Sequence, residues 1–317
     1  MFDIAILFSR VLLLALLMLP TALLKRFGLV RDGFGVSLSN LVLYVATPGM
    51  IIFALYRDYD SQIMLRSLAV VVFFLLFHAM YYGVALLAFR KRKDEPELVK
   101  RDRLLQFGTI FTNAGYMAIP ILTALLGAES AIYASVYVVC FNILVWTFGA
   151  YVFTGEKKYM SLKKAFLNPA SVALVVGLLF FCTPINRHMP GVTEDFLSIL
   201  NSLVAPLSMG VIGLHLLEID WKRIWRDLVL YRYVIVRMLL IPTVVFGILK
   251  LSTLLGYRDD YLFRALFICA STPCATVTVM YAEKFDGDAP YASTMVCLST
   301  LLSIGTMPLV ALLLYLL

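Results

Sequence analysis

Charge is what this chain has least of. Only 15% of its 317 residues are Asp, Glu, Lys or Arg, 62% come from the hydrophobic set, and the mean hydropathy is +0.90. A water-soluble domain carries about 25% charged and ~45–50% apolar residues, so the deficit excludes a soluble globular protein and puts the chain in a bilayer. Acidic residues are missing from the apolar runs. All twenty Asp and Glu fall in loops or at run ends, Glu283 coming closest to a helix interior. No midplane carboxylate is therefore present to relay protons or hold sodium strongly. The five cysteines (Cys140, Cys182, Cys269, Cys274, Cys297) are odd in number, show no CxxC spacing and lie in apolar sequence. That excludes a disulfide framework or a zinc site and leaves packing roles. There is no HExxH, no paired acids, no Gly-rich phosphate loop and no elbow-type serine, so neither an enzyme nor a metal or cofactor is expected.

The net charge of +7 and pI of about 9.1 would suggest nucleic acid in a soluble protein. Here the cations gather in a few short hydrophilic loops, as membrane topology demands, and nucleic acid is not an expected partner. The segment MFDIAILFSRVLLLALLMLPTALLKRF has no basic n-region and no small-residue cleavage site, and reads as a retained span.

What the sequence does have is ten long apolar runs, near 4–24, 36–56, 66–89, 104–126, 131–153, 168–184, 197–217, 229–250, 261–282 and 290–316. Runs of this length are membrane helices; barrel strands would be ~9–11 residues and alternating. The fold class is an all-α membrane protein. The loops after spans 1, 3, 5, 7 and 9 hold 18 Lys and Arg, from Lys25, Arg26 and Arg31 through Arg90 to Lys93 to Lys284. The opposite loops hold Arg57, Arg66, Arg187, Lys250 and Arg258. By the positive-inside rule the odd loops face the cytoplasm and both termini face out, with the cytoplasmic (inner) membrane as the expected location.

The chain resembles itself at an offset of 158 residues. Ala131, Tyr133, Ala134, Ser135 and Val138 of span 5 match Ala289, Tyr291, Ala292, Ser293 and Val296 of span 10; Pro48 falls on Pro206 and Asp102 on Asp260. Five spans per half is odd, so the halves 1–155 and 156–317 enter the membrane in opposite senses. Two inverted five-helix repeats, with scaffold and transport parts interleaved between them, are a design of secondary transporters.

Spans 4 and 9, equivalent under the repeat, are each interrupted near half depth. Span 4 carries Thr112, Asn113, Gly115 and Pro120; span 9 carries Ser271, Thr272, Pro273 and Thr276. Asn113 suits a helix N-cap, and Thr272 followed by Pro273 suits an N-cap and first helical position. Each proline also frees a carbonyl one turn back, that of Tyr116 or Cys269. Broken backbone at that depth survives only buried in protein or lining a wet cavity. Two half-helix N-termini facing each other favour an anion, most simply a carboxylate. Candidate binding residues are Asn113, Ala114, Gly115, Tyr116 and Pro120 on one side and Ser271, Thr272, Pro273 and Thr276 on the other. Thr47 with Pro48, and Asn201 and Ser208 around Pro206, form a second pair of breaks that lines the same cavity or merely kinks its helices. Arg237, two turns into span 8, either snorkels, pairs with a carbonyl or attracts anions.

The string Asn113-Ala-Gly-Tyr-Met117-Ala-Ile119-Pro120-Ile-Leu resembles the N-x-x-x-M-x-I-P-[IL]-L segment of the auxin efflux carrier family. Proline in span 2 and the Ser-Thr-Pro break in span 9 are similar too. The resemblance implies an elevator-like carrier of organic anions with crossing broken helices 4 and 9, in which Asn113 helps to bind the substrate carboxylate. Cys274 and Thr278 stand where plant members carry an amide and a second proline, which points away from auxin itself. The expected partners are a small organic anion, the lipid bilayer and a second copy of the chain in a homodimer. Driven by the membrane potential alone, anion expulsion would gain ~2.3 kcal/mol per charge per 100 mV. A sodium- or proton-coupled symporter of bile-acid-carrier type, or a non-transporting receptor or enzyme, are the alternatives.

Overall fold

The computed structural model describes residues 3–31, 33–90, 95–219, 224 and 226–316. Of the orienting cations, Lys91, Arg92, Lys93, Lys222 and Arg223 lie outside the described residues. Helices α1 (Ile4–Arg26), α2 (Phe34–Leu55) and α3 (Ser61–Ala88) precede a broken pair, α4 (Pro96–Ile110) and α5 (Ala114–Leu126). Next come α6 (Ser130–Thr154), α7 (Lys157–Cys182), α8 (Gly191–His215) and α9 (Leu228–Leu254). A second broken pair, α10 (Asp260–Ser271) and α11 (Val277–Lys284), leads to α12 (Ala289–Leu316). Eight of these are long and apolar enough to cross a bilayer. The two pairs are the interrupted segments anticipated as spans 4 and 9.

Much of the scarce acidic charge is spent on starting helices. Asp3, Asp60, Asp227, Asp259 and Asp288 each accept hydrogen bonds from backbone N–H groups in the first turn that follows. Those N–H groups have no partner within the helix, and a carboxylate also complements the positive end of the helix dipole. At Pro48, Pro120 and Pro242 the helix resumes one residue earlier, after a π-helical turn: Val42–Ala46, Ala114–Ala118 and Val236–Leu240 respectively. A proline ring collides with the carbonyl four residues back, and the wider turn takes up that collision without ending the span. Pro206 sits inside the regular helix α8.

The helices fall into two groups. In the first, α2 packs on α7 and α8, and α8 on α1. A Cβ added at Gly49 would lie 2.5 Å from Cβ of Leu200, so α2 and α8 touch backbone to side chain. Thr21 and Lys25 of α1 donate to the carbonyls of Gly210 (2.8 Å) and Leu214 (2.9 Å) of α8. Arg187 clamps Asp58 through two 2.9 Å bonds and, with Asn186, holds its carboxyl below the usual range. The second group, α3 to α6 and α9 to α12, surrounds the two breaks. At one end Arg66 joins Asp259 (2.7 Å) and Glu129 (3.3 Å), tying α3 to the loops before α10 and α6. At the other end Arg101 of α4 holds Asp227 at the start of α9 and the hydroxyl of Tyr291 of α12. Between the groups, Ser161 N–H of α7 donates to the Trp146 carbonyl of α6 at 3.0 Å and α1 packs on α12, while Ser293 Oγ lies 3.4 Å from His215 Nδ1 and Cys297 Sγ 3.8 Å from the Ile212 carbonyl.

Candidate anion-binding site

The two breaks meet. Thr112 and Cys274 form an isolated antiparallel β-bridge. Asn113 N–H donates to the Pro273 carbonyl at 2.8 Å, and Ala275 N–H donates to the Phe111 carbonyl at 3.0 Å. Backbone groups released by one interruption are thus satisfied by the other. In a hydrocarbon slab, where an unpaired amide costs several kcal/mol, that pairing holds the two breaks at one depth.

Asn113 occupies the N-cap position of α5, with its side chain making no capping bond. The restart of the second helix differs from the sequence reading. Thr272 ends α10 in an extended conformation, and α11 begins only at Val277 with Thr276 at its N-cap. The reason is the bridge: residues 273–275 give their backbone to residues 111–113 and cannot coil at the same time. The carbonyl that Pro273 frees, Cys269 O, accepts a 2.8 Å bond from the Thr272 hydroxyl.

Beside the crossover lies a cavity of about 440 Å³. Five anticipated residues line it: Thr47, Asn113, Gly115, Tyr116 and Thr276. Ala114, Pro120, Ser271, Thr272, Pro273, Pro48, Asn201, Ser208 and Arg237 are not among its walls. Ser208 instead donates to the carbonyl of Ala205 at 3.1 Å, within its own helix, and Ser271 to that of Phe267 at 2.7 Å. Arg237 has no exposed surface and donates to the carbonyls of Ala270 (3.0 Å) and Thr272. Of its sequence-level options, carbonyl pairing is the one realised.

The walls also hold residues that sequence reasoning passed over: Asn142, Trp146, Lys164, Asn168 and Lys284. Asn142, an amide inside an apolar run, was the legible one. By sequence the lysines are loop cations; in the fold Lys284 Nζ sits 4.7 Å and Lys164 Nζ 5.9 Å from the Trp146 ring centre. Among the described lining residues the only charges are these two cations. Asn113 Nδ2 and Thr112 Oγ1 are buried with no hydrogen-bond partner. A donor left unpaired in a buried site is costly unless a ligand arrives to accept from it. Residues at the starts of both helices, Gly115 and Tyr116 of α5 and Thr276 and Val277 of α11, line the same wall, while the N–H groups of Met117, Thr278 and Val279 are taken by the carbonyls of Asn113, Ala275 and Thr276. Helix starts, an amide donor, hydroxyls and two ammonium groups are the kinds of group that suit a small anion.

A model of a family described as membrane transport protein matches residues 6–161 and 157–311. The chain is similar to an uncharacterized transporter of Methanothermobacter thermautotrophicus, at 24% identity over 303 residues, covering 95% of this chain and 96% of that protein. It is equally similar, at 24% over 304 residues, to an uncharacterized transporter of Methanocaldococcus jannaschii, covering 93% and 94%.

Proposed function

Because the chain belongs to the membrane transport protein family of the auxin efflux carriers, a multi-pass transporter and not an enzyme, we propose that it carries small organic anions. It binds the carboxylate at the crossover and moves it by elevator-like alternating access. The observation that carries this reading is the bridged pair of breaks placing the starts of two helices and the unpaired Asn113 amide beside one cavity whose only charges, among the described residues, are Lys164 and Lys284. An apolar receptor pocket would not leave donors unpaired, and a cation site would be lined by oxygens.

The reading includes ten passages arranged as two inverted repeats. It is supported by the pairing of loops: Arg66, Glu129, Asp259, Asp58 and Arg187 connect even-numbered loops, whereas Arg101 and Asp227 connect odd ones. The cavity's walls include Lys164, Asn168 and Lys284, from the segments around the odd loops that carry the excess cations, which supports reading this form as facing the cytoplasm. The elevator reading is supported by the two helix groups. Close glycine contacts and charged clamps lie inside each group, and sliding one group against the other would exchange the Ser293–His215 and Cys297–Ile212 contacts and the Ser161–Trp146 backbone bond.

The experiment is reconstitution. Purified protein is screened for thermal stabilisation by small mono- and dicarboxylates, which raise Tm if they bind only the folded form. The best binder, radiolabelled, is then followed into liposomes under an imposed membrane potential. Potential-dependent flux is expected; stabilisation by none of the carboxylates, or binding without flux, would overturn the assignment.

A further inference from the structure

One charge in this protein stands inside the membrane with no carboxylate near it. Arg237 lies in the π-helical turn Val236–Leu240 of α9, has no exposed surface, and among the described residues pairs with no acid. Burying a lone guanidinium is expensive unless acceptors surround it. Its acceptors are the carbonyls of Ala270 and Thr272, at the C-terminal end of α10. The last carbonyls of a helix have no partner within it and together carry about half a negative charge. One turn earlier on α9, Tyr233 donates at 3.2 Å to the Gly108 carbonyl, near the C-terminal end of α4. A single helix therefore caps the negative ends of both interrupted segments, and neither Tyr233 nor Arg237 is among the cavity's walls.

In carriers built on broken helices, such half-helix carbonyl ends coordinate the coupling cation. We propose that the Arg237 guanidinium is that cation, tethered to the chain. It fills permanently the place a mobile sodium would take, so the crossover is held together without a dissolved ion. Tethering also removes the need for a midplane carboxylate, which the sequence lacks. The proposal rests on the crossover being the substrate-bearing element, and it names a cation site that only the loss of Arg237 opens. Both carbonyl bonds come from Nη2 alone, as they would from a compact cation, while Nε and Nη1 have no hydrogen-bond partner and the Tyr81 ring lies 6.0 Å from the guanidinium carbon.

The test needs no substrate, so its outcome and that of the carrier reading are separable. Purified wild type, Arg237→Ala and Arg237→Lys are melted in choline chloride, sodium chloride and low-millimolar guanidinium chloride at equal ionic strength. Wild type and Arg237→Lys should melt alike in all three. Arg237→Ala should melt lower in choline and gain a saturable rise of about 3 °C or more with guanidinium. An Arg237→Ala protein that responds to guanidinium no more than wild type overturns the proposal. Should that variant fail to fold, wild type still decides: a saturable sodium-specific rise in its Tm would show a mobile cation site and sink the idea.

Discussion

Asn113 offers the sharpest separation of binding from stability. Its amide nitrogen is buried and unpaired, and the residue is 3% exposed. Truncation to alanine therefore removes no intramolecular bond from the side-chain nitrogen, and the backbone bonds of residue 113, to Pro273 O and from Met117 N, are unchanged in kind. Deleting an unsatisfied buried donor is nearly neutral for folding, so Tm without ligand should stay within about 2 °C of wild type. A bound carboxylate loses one hydrogen bond to a charged acceptor, worth ~1.5–3 kcal/mol, which is about 10- to 150-fold in Kd. Asn113→Asp, which sets a like charge against the ligand, should abolish binding altogether. The assay is a thermal-shift titration with the best carboxylate, checked by calorimetry and by flux. An affinity for Asn113→Ala within twofold of wild type would refute the site. A fall in unliganded Tm of about 5 °C or more would refute the premise that the amide waits for a ligand.

The remaining expectations concern packing, motion and charge. Gly49→Ala, whose new Cβ would sit 2.5 Å from Leu200 Cβ, should lose about 1–3 kcal/mol of stability. Gly247→Ala, with nothing within 4 Å, should be neutral or more stable by up to about 1 kcal/mol, and melting curves of the pair test the α2–α8 contact. A disulfide or short bifunctional link between His215→Cys and Ser293→Cys, across the seam, should arrest flux, whereas one between Asp58→Cys and Arg187→Cys, inside one group, should not; flux through the first is incompatible with sliding groups. Lys164→Gln with Lys284→Gln should slow uptake of the anion by about tenfold at low ionic strength and much less at high salt, because exposed charges steer and are screened.

Much of this was readable from the chain because each signal was local. Run length and hydropathy showed the helices, and proline with a short polar run at half depth marked both breaks. The misreading at Thr272-Pro273 is instructive: by local rules that pair starts a helix, yet α11 begins at Val277. A partner 160 residues away in sequence claimed the backbone of residues 273–275 first, and no local pattern records such a claim. Lys164, Lys284 and Asn168 were opaque for the same reason. Lys164 and Asn168 sit in the interrupted first half of α7, between the short turn Leu162–Phe166 and the helix from Pro169, and Lys284 ends α11; each meets the cavity only through tertiary packing. Arg237 was visible as a misplaced charge, but its carbonyl partners exist only because α10 stops at Ser271.

The bridge also constrains how the site can move. Phe111, Asn113, Pro273 and Ala275 exchange the hydrogen bonds that each break would otherwise lack, so separating α4–α5 from α10–α11 would expose at least two amides and two carbonyls to hydrocarbon. At several kcal/mol each, that exceeds the few kcal/mol separating interconverting carrier states. Tyr233 and Arg237 extend the same restriction to α9, since their donors hold the ends of both first halves. A hinge within the crossover is therefore the costly motion. Displacement of the whole bridged group along α1, α2, α7 and α8 would break none of these bonds; it would ask that seam contacts such as Ser293 with His215, and the Ser161–Trp146 backbone bond, exchange partners. Geometry that protects backbone amides from lipid is thus in keeping with the proposed elevator motion, in which the site would move in place of a gate.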